Sequence, residues 1–552
     1  MAYQSSLHRF LQHAQQQPDK TFLNQPVAGR WQQYSFTDVE QQARRMAQGL
    51  VALGLNSGDR VGIISKNCAH WFIADLAIMM AGMVSVPIYA TAGEKTISYV
   101  MEHSDMKALF VGRLDDYLPL QQVLSDTLPI ITMPYPDVAE FAASNNQSWE
   151  SMLADHQPME QIATPDLLDT MTLCYTSGTT GNPKGVVITY KNIASAAKGA
   201  VDVIGIAHSG PQRVVSYLPL AHITERGLIE GIAYELPLEV FFIDSLDTFI
   251  SDVQHAQPTF FLSVPRLWVK FQAQILKAMP QKKLNVLLSL PIIGNLVAKK
   301  IRAKLGLDNV QVFGCGSAPV SEELLKWYQR LGMNIGEGWG MTETSGLSCG
   351  NLPFEESRIG TIGKALPCVE MKLSAEQEIM IRGDAVFTEY YLAPETTKQA
   401  FTDGWFHTGD KGELNGDGDY KIVGRIKEQF KTAKGKYVVP VPIERLLLSN
   451  SALEQACVIG SGMKQPIALV VLSENAPQSQ AEQVKLLATL LEQVNAELES
   501  HQRLDYIMVC LHSWKPENEL LTPTLKLKRN EIEQYYVHKL PTSVKQPIVF
   551  EE

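Results

Sequence analysis

Tyr175-Thr-Ser-Gly-Thr-Thr-Gly-Asn-Pro-Lys-Gly185 follows the short apolar run Met-Thr-Leu-Cys at 171–174. The run reads as a buried strand. The loop after it holds four hydroxyl side chains (Thr176, Ser177, Thr179, Thr180), three glycines (Gly178 among them) and Lys184. Such a loop wraps backbone N–H groups and hydroxyls around phosphate oxygens, with the lysine neutralising charge. It is not a Walker A loop, because Pro183 precedes the lysine and Gly185 follows it, leaving no hydroxyl after the lysine for Mg²⁺. The plainer alternative is a surface turn, since Gly, Ser and Thr are common in turns. A polar loop this long directly behind a buried strand favours the phosphate reading.

Outward from the loop, the first 420 or so residues alternate helix-like and strand-like segments. A helix is predicted over 37–53, with Thr37 and Glu40 as a capping box and apolar residues at spacings of three and four. Apolar runs at 61–64, 108–111, 171–174, 240–243 and 310–313 read as buried strands, which predicts an α/β region of stacked, largely parallel sheets flanked by helices. From about 424 the pattern changes. Short strands at 457–460, 467–472 and 506–511 surround one strong helix at 481–499. The expected organisation is a large α/β domain over 1–423 and a small α+β domain over 424–552.

The chain of 552 residues carries 48 Lys+Arg against 59 Asp+Glu, a net charge of −11. That balance lacks the basic excess of a nucleic-acid binder. The seven cysteines contain no CxxC spacing, which speaks against a zinc ribbon or disulfide framework and fits a reducing cytosol. The first residues lack the architecture of a secretory signal. No apolar run reaches the roughly 18 residues of a spanning helix. The nearest, at 286–298, is broken by Pro291, Gly294 and Asn295 and reads as a buried helix and turn, with peripheral contact to a membrane face as the alternative.

Five further segments carry chemistry. In Gly336-Glu-Gly-Trp-Gly-Met-Thr-Glu-Thr344, the glycines let the backbone approach a flat ring and Trp339 offers a stacking face. Thr342 is able to donate to a phosphate oxygen, and Glu343 suits Mg²⁺. Asp410 ends Gly404-Trp-Phe-His-Thr-Gly-Asp410, where a carboxylate accepts two vicinal hydroxyls or serves ordinary turn chemistry. Arg425, Lys427 and Lys431 form a cationic cluster where the pattern changes; a solvated linker is the alternative. His222 lies in the apolar stretch opening Pro219-Leu-Ala-His-Ile-Thr-Glu-Arg226, where a lone histidine is more often a core residue than a catalyst. Leu521-Thr-Pro-Thr-Leu-Lys-Leu-Lys-Arg529 offers Lys526 and Lys528, and water-facing lysines on a strand describe the pair equally well.

Taken in order, these segments resemble the signature motifs of the adenylate-forming enzymes: acyl-CoA synthetases, luciferases and peptide-synthetase adenylation domains. The resemblance spans nearly the whole chain and is strongest to long-chain fatty acyl-CoA synthetases. It implies ATP, Mg²⁺ and coenzyme A as cofactor and co-substrates, with a fatty acid as the acid. Thr176 and Glu343 would be the metal-side ligands. Ser177, Gly178, Thr179, Thr180, Lys184, Gly316, Ser317, Glu337, Gly338, Trp339, Gly340, Thr342, Asp410, Arg425, Lys431 and Lys526 would surround the nucleotide. Lys526 would be the catalytic lysine, although Thr524 and Leu525 stand where a serine and glycine commonly precede it. His222 and Gly316 would border the acyl chain, with His222 in a positioning role. Lys427 would be the hinge, and Lys434, Gly435 and Lys436 would line the thiol tunnel. The expected enzyme is a cytoplasmic ATP-dependent acid–thiol ligase, with peripheral membrane contact and oligomerisation compatible with the sequence. Three other readings stand beside it: a carrier-protein acceptor in place of coenzyme A, a luciferase-like oxygenase, and a catalytically silent AMP or acyl-adenylate-binding regulator.

Overall fold

A computed structural model describes residues 3–138, 141, 146–176, 182–205, 210–516, 518–522, 526–541 and 546–551. Two large sheets dominate the N-terminal part. One has seven strands in the order Asn146–Ser148, Ile130–Thr132, Met106–Val111, Arg60–Ile64, Val84–Ile88, Thr170–Thr176, Lys184–Thr189. Its pairings are parallel except the last, which is antiparallel. The other has nine strands, parallel through its centre (Glu239–Phe242, Arg213–Ser216, Phe260–Ser263, Val312–Cys315, Ile335–Met341) and antiparallel at both margins. The helix Ala69–Met80 is buried at every residue. Apart from His70 and Asp75 it is apolar all round, because it packs on protein on every side.

A third sheet, Val369–Leu373, Glu378–Gly383, Trp405–Leu414 and Phe401–Thr402, takes Tyr420–Arg425 as a further strand beside Trp405–Leu414. The small hairpin Phe430–Lys431 with Tyr437–Val438 follows. The last sheet runs Leu453–Ile459, Ile467–Leu472, Ile507–Val509, Ile548–Phe550. Alternation along a strand sends successive side chains to opposite faces. Ala456 and Val458 accordingly join one core with the helix Gln480–Glu497, while Cys457 and Ile459 join the other with Trp514 and the helix Arg529–Val537. The observed architecture is thus the expected large α/β part followed by a smaller α+β part.

Three local expectations need correction. The first helix of the α/β pattern spans Phe36–Ala52, and its capping box is Ser35 with Asp38. Ser35 ends a strand in extended backbone, so its hydroxyl meets the Asp38 N–H, whereas the Thr37 hydroxyl donates to the Pro18 carbonyl. The strand expected at 310–313 is Val312–Cys315, because Val310 closes a turn onto Leu307. The run at 286–298 is not a buried helix and turn. It forms the ends of two helices, Gln281–Leu288 and Pro291–Leu305, with most of its large apolar side chains exposed.

One polar cluster lies deep between the two large sheets. Arg226 is buried, 2.7 Å from Asp75 Oδ1 and 2.9 Å from Glu230 Oε2, and donates to Ser85 Oγ at 2.7 Å. Asp75 belongs to the buried helix, Ser85 to the seven-stranded sheet, and Arg226 and Glu230 to the π-helical turn Thr224–Glu230. Burial raises the pKa of Glu230 despite the arginine beside it, and the Tyr234 hydroxyl donates to its other oxygen at 3.1 Å. Removing one member of a buried ion cluster strands the others without a countercharge. Arg226→Met should therefore cost about 3–5 kcal/mol of stability. Chemical denaturation checks this; a midpoint within error of the parent would show that the cluster does not hold the sheets together.

Candidate active site

The loop that opened the sequence joins two antiparallel strands. Thr176, the last residue of Thr170–Thr176, lies opposite Lys184, the first of Lys184–Thr189. The helix Tyr190–Ile204 begins only after the second strand, with Thr189 and Asn192 as its capping box. Any anion here is therefore met by a hairpin and a lysine rather than by a helix N-terminus. Ser177, Gly178, Thr179 and Thr180 lie outside the described residues.

The base of the hairpin is tied to the segment 387–391. Tyr391 N–H donates to the Gly185 carbonyl at 2.7 Å, and Val187 N–H to Glu389 at 3.1 Å. Tyr390 links two predicted site residues. The Lys184 ammonium lies 4.9 Å from its ring centroid, and its hydroxyl donates to Glu343 Oε1 at 2.9 Å. Tyr390 carries no local motif; its signal is tertiary, since it stands 47 residues from Glu343.

Glu343 sits in the short 3₁₀ turn Thr342–Thr344, directly after the strand Ile335–Met341. That strand carries Glu337, Gly338, Trp339 and Gly340. A Cβ on Gly340 would lie 1.6 Å from the Gly346 carbonyl oxygen, so only glycine lets the neighbouring strand approach this closely. Glu337 is buried, accepts the Gly360 N–H at 3.0 Å, and has its pKa pushed up to about 7 by burial, opposed chiefly by Arg445.

Trp339 and Asp410 form the centre of the site. The Trp339 indole N–H donates to Asp410 Oδ2 at 2.9 Å, and Arg425 Nε stands 2.7 Å from Asp410 Oδ1. Asp410 and Arg425 are directly opposite across the antiparallel pair Trp405–Leu414 and Tyr420–Arg425. Cross-strand neighbours of opposite charge support each other, so strand register holds this ion pair. Burial raises the Asp410 pKa, while Arg425, Trp339 and Lys526 pull the other way.

Lys526 reaches the same place from the small part of the chain. Thr522 N–H donates to the Lys526 carbonyl at 2.8 Å and the Lys526 N–H returns to Thr522 Oγ1 at 3.1 Å, closing a tight loop. Lys526 is exposed to solvent. Loss of hydration lowers its pKa, as does Arg425, whereas Asp410, Glu343 and Glu428 raise it. Its positive charge is also felt by His222. Lys528 instead heads the helix Arg529–Val537, whose Arg529 is buried against Glu444 at 3.0 Å and reaches Glu428 at 3.5 Å.

His222 accepts the Thr224 N–H at Nδ1, 3.2 Å away, which leaves its proton on Nε2. Burial, reinforced by Lys526, pushes its pKa down to about 3. A neutral ring with a donating Nε2 suits positioning and not proton transfer. Thr224 also bonds Ser317 at 3.1 Å. Ser317 and Gly316 line a cavity together with Trp339, Gly338 and Gly340, and its other walls include Ile204, Leu228, Phe260 and Leu262. These apolar residues come from three elements and carried no local signal.

Lys427 is exposed in the 3₁₀ turn Ile426–Glu428 that follows Arg425. The Lys431 ammonium lies 4.7 Å from the Tyr437 ring, and none of its described contacts reaches Asp410 or Trp339. Lys434, Gly435 and Lys436 are exposed at the tip of the hairpin, with Gly435 at φ +73°.

No group of three or more His, Cys, Asp or Glu able to hold a metal occurs among the described residues. Thr176 and Glu343 offer one hydroxyl and one carboxylate. That set fits Mg²⁺, which keeps several waters and takes one or two carboxylates plus substrate phosphates.

Residues 10–391 match the sequence profile of the AMP-binding enzyme family, and 427–542 that of the AMP-binding enzyme C-terminal domain. The chain belongs to the AMP-binding enzyme family. It is 29% identical to the long-chain-fatty-acid–CoA ligase FadD15 of Mycobacterium bovis, over 95% of this chain and 94% of that one. Fatty acyl-CoA synthetase A of Dictyostelium discoideum is likewise 29% identical, over 92% of this chain and 85% of its own. Among solved structures, the anthranilate CoA ligase AuaEII in complex with anthranoyl-AMP superposes with a TM-score of 0.80 at 20% identity, over 97% of this chain and 98% of that one.

The Tyr390–Glu343 hydrogen bond aims the carboxylate. Tyr390→Phe should raise the Mg²⁺ concentration needed for half-maximal pyrophosphate release by about two- to tenfold, the worth of one hydrogen bond, with the rate recovering at saturating metal. Glu343→Gln should not recover. An unchanged Mg²⁺ titration in both variants would remove Glu343 from the metal site.

Proposed function

We propose that this ATP-dependent, AMP-forming ligase is a long-chain fatty acid–CoA ligase. The observation that carries the reading is a single cavity in which Trp339, Gly316 and Ser317 adjoin the apolar walls Ile204, Leu228, Phe260 and Leu262. Polar and apolar walls meeting at one cavity is the arrangement that a nucleotide beside an alkyl chain would require. The names of the relatives at 29% identity support the same acid class.

In the first half-reaction the fatty carboxylate oxygen attacks the α-phosphorus of ATP, and pyrophosphate leaves. Mg²⁺, when bound, neutralises phosphate charge. Trp339 and Asp410 hold the nucleoside, with Arg425 fixing the Asp410 carboxylate. Lys184 and Thr176 face the outer phosphates, and Thr342 the α-phosphate. Lys526 stands where two anions must meet, and a positioned cation offsets their repulsion. His222, held neutral, orients the acyl carbonyl through Nε2–H. In the second half-reaction the thiol sulfur of coenzyme A attacks the acyl carbon, its proton passes to solvent, and AMP leaves with the former carboxylate oxygen.

The proposed mobile body is 424–552, turning at Lys427 so that the 432–436 tip with Lys434, Gly435 and Lys436 replaces Lys526 beside the acyl group. One site then performs two reactions in two arrangements. The arrangement described above, with Lys526 among Asp410, Glu343 and His222, suits the first.

Lys526→Ala should lower adenylate formation roughly a hundredfold or more, yet spare thioester formation from supplied acyl-adenylate, because the two-anion encounter is then past. Equal loss in both steps, or a greater loss for Lys528→Ala, contradicts this role. Lys427→Pro fixes φ near −65°, so it should leave adenylation near normal and severely slow thioester release. Parallel loss of both half-reactions in folded protein would mean that Lys427 is an ordinary linker residue. A panel of carboxylates of increasing chain length, with coenzyme A or a holo carrier protein as acceptor, decides the substrate.

A further inference from the structure

The helices Gln281–Leu288 and Pro291–Leu305 connect two strands of the nine-stranded sheet, Phe260–Ser263 and Val312–Cys315, by way of the helix Pro265–Ala278. Both helices pack an apolar face on the core, through Leu284, Leu288, Val297 and Ile301, but their adjoining ends are apolar on the outer face as well. In Pro291–Leu305 the fully buried residues nearest the tip are small, Gly294 and Ala298, with Val297 and Ile301 half-buried and Leu305 buried at the far end. Gly294 permits close approach, since a Cβ there would lie 2.7 Å from the Leu288 carbonyl oxygen. Five large apolar residues at the tip face water: Val286 at 63%, Ile292 at 77% and Leu296 at 63% exposure, with Leu290 and Ile293 beside them. Isolated exposed apolar residues need no explanation, but a contiguous cluster at one tip marks a contact surface.

The charge around the tip identifies the partner. From 265 to 305 the chain has nine Lys and Arg and no Asp or Glu, in a protein whose net charge is −11. Lys282 and Lys283 lie one turn before Val286, and Lys299 and Lys300 one turn after Leu296. At 1.5 Å rise per residue, both arms of the hairpin set their lysines about 5–6 Å back from the apolar tip. Among the described residues none of these four lysines has an ion-pair partner. Apolar side chains immersed about 5–10 Å with cations at the phosphate level is the geometry of an interfacial anchor on an anionic bilayer. A second copy of this chain would instead bring one lysine collar against another, and like charges oppose that contact.

We propose that the hairpin tip Val286–Leu290–Ile292–Ile293–Leu296, with its collar of Lys282, Lys283, Lys299 and Lys300, docks the protein on anionic phospholipid membranes. This docking does not rest on the substrate reading, and its test involves no acyl substrate. The full-length protein is floated with vesicles of equimolar phosphatidylglycerol and phosphatidylcholine, and with vesicles of phosphatidylcholine alone. The expected result is capture by the anionic vesicles, weakened by salt, with much less on the neutral ones. The triple variant Ile292→Ser/Ile293→Ser/Leu296→Ser should lose roughly a hundredfold or more in partition with an unchanged thermal unfolding midpoint.

If the triple variant unfolds early, the single variant Ile292→Cys carrying an environment-sensitive fluorophore decides. The seven natural cysteines are buried, so the label goes to position 292, and its emission should shift to the blue on adding anionic vesicles. No capture of the parent protein, equal partition of parent and triple variant, or an unshifted fluorophore would overturn the proposal. So would a parent dimer in sedimentation equilibrium that the triple variant abolishes, because the patch would then be a self-association surface.

Discussion

A single buried guanidinium governs how the large domain is put together. Arg226 bonds a carboxylate on the helix between the sheets, a serine on one sheet and a carboxylate on its own π-helical turn. Such a cluster is a weak source of net stability, because desolvating the charges costs about as much as their attraction returns. Its effect is positional. The turn Thr224–Glu230 is held against the seven-stranded sheet, and residues 222–225 are fixed at its leading end. Glu225 from the same turn is buried, accepts the Tyr217 N–H at 3.0 Å, and has its pKa raised by burial to about 8. His222, Thr224 and the cavity wall at Leu228 owe their placement to this turn. π-helical segments recur where a helix must present a side chain off the ordinary 3.6-residue spacing.

The opposite wall is fixed by strand register. Pairing Asp410 with Arg425 puts a carboxylate and a guanidinium side by side, and the Trp339 indole closes the group from a different sheet. A one-residue slip would turn Asp410 to the other face. The strand that sets this register ends at Arg425, and the chain enters the turn bearing Lys427 at the next residues. Lys184, Tyr390 and Glu343 form a second chain of contacts, so the hairpin loop and the acidic residue hold each other in place.

Much of this was legible in the sequence where the signal was local. The apolar run before the hydroxyl-rich loop, the alternation of strands and helices, and the change of pattern past 420 all act within ten or twenty residues. The structure also gathers Trp339, Asp410, Arg425, Glu343 and Lys526, which the ordered motifs had singled out. What stayed hidden depends on partners far away in sequence. Tyr390 looked like one aromatic among many until Glu343 and Lys184 met it. Arg226 read as the end of a motif, and its partner Asp75 lies 151 residues off in an otherwise apolar helix. The capping box at Ser35 was missed because a strand end, which no local propensity marks, supplied the extended backbone that a cap requires. The 286–298 run misled in the other direction, since its composition says buried while small residues at 294 and 298 take the inward face.

The field of Lys526 has a further consequence. Asp410, Glu343 and Glu428 favour its charged form, and Arg425 opposes it. Any rotation that carries Lys526 out of the cleft subtracts one positive charge from a place that keeps its carboxylates. The vacated cleft would then be more negative, and a free anion left inside it, pyrophosphate above all, would be held less tightly. On the proposed two-step cycle, a lysine loop that brings the reactants together by its arrival would act as an electrostatic exit valve by its departure, loosening pyrophosphate while the acyl-adenylate stays for the thiol.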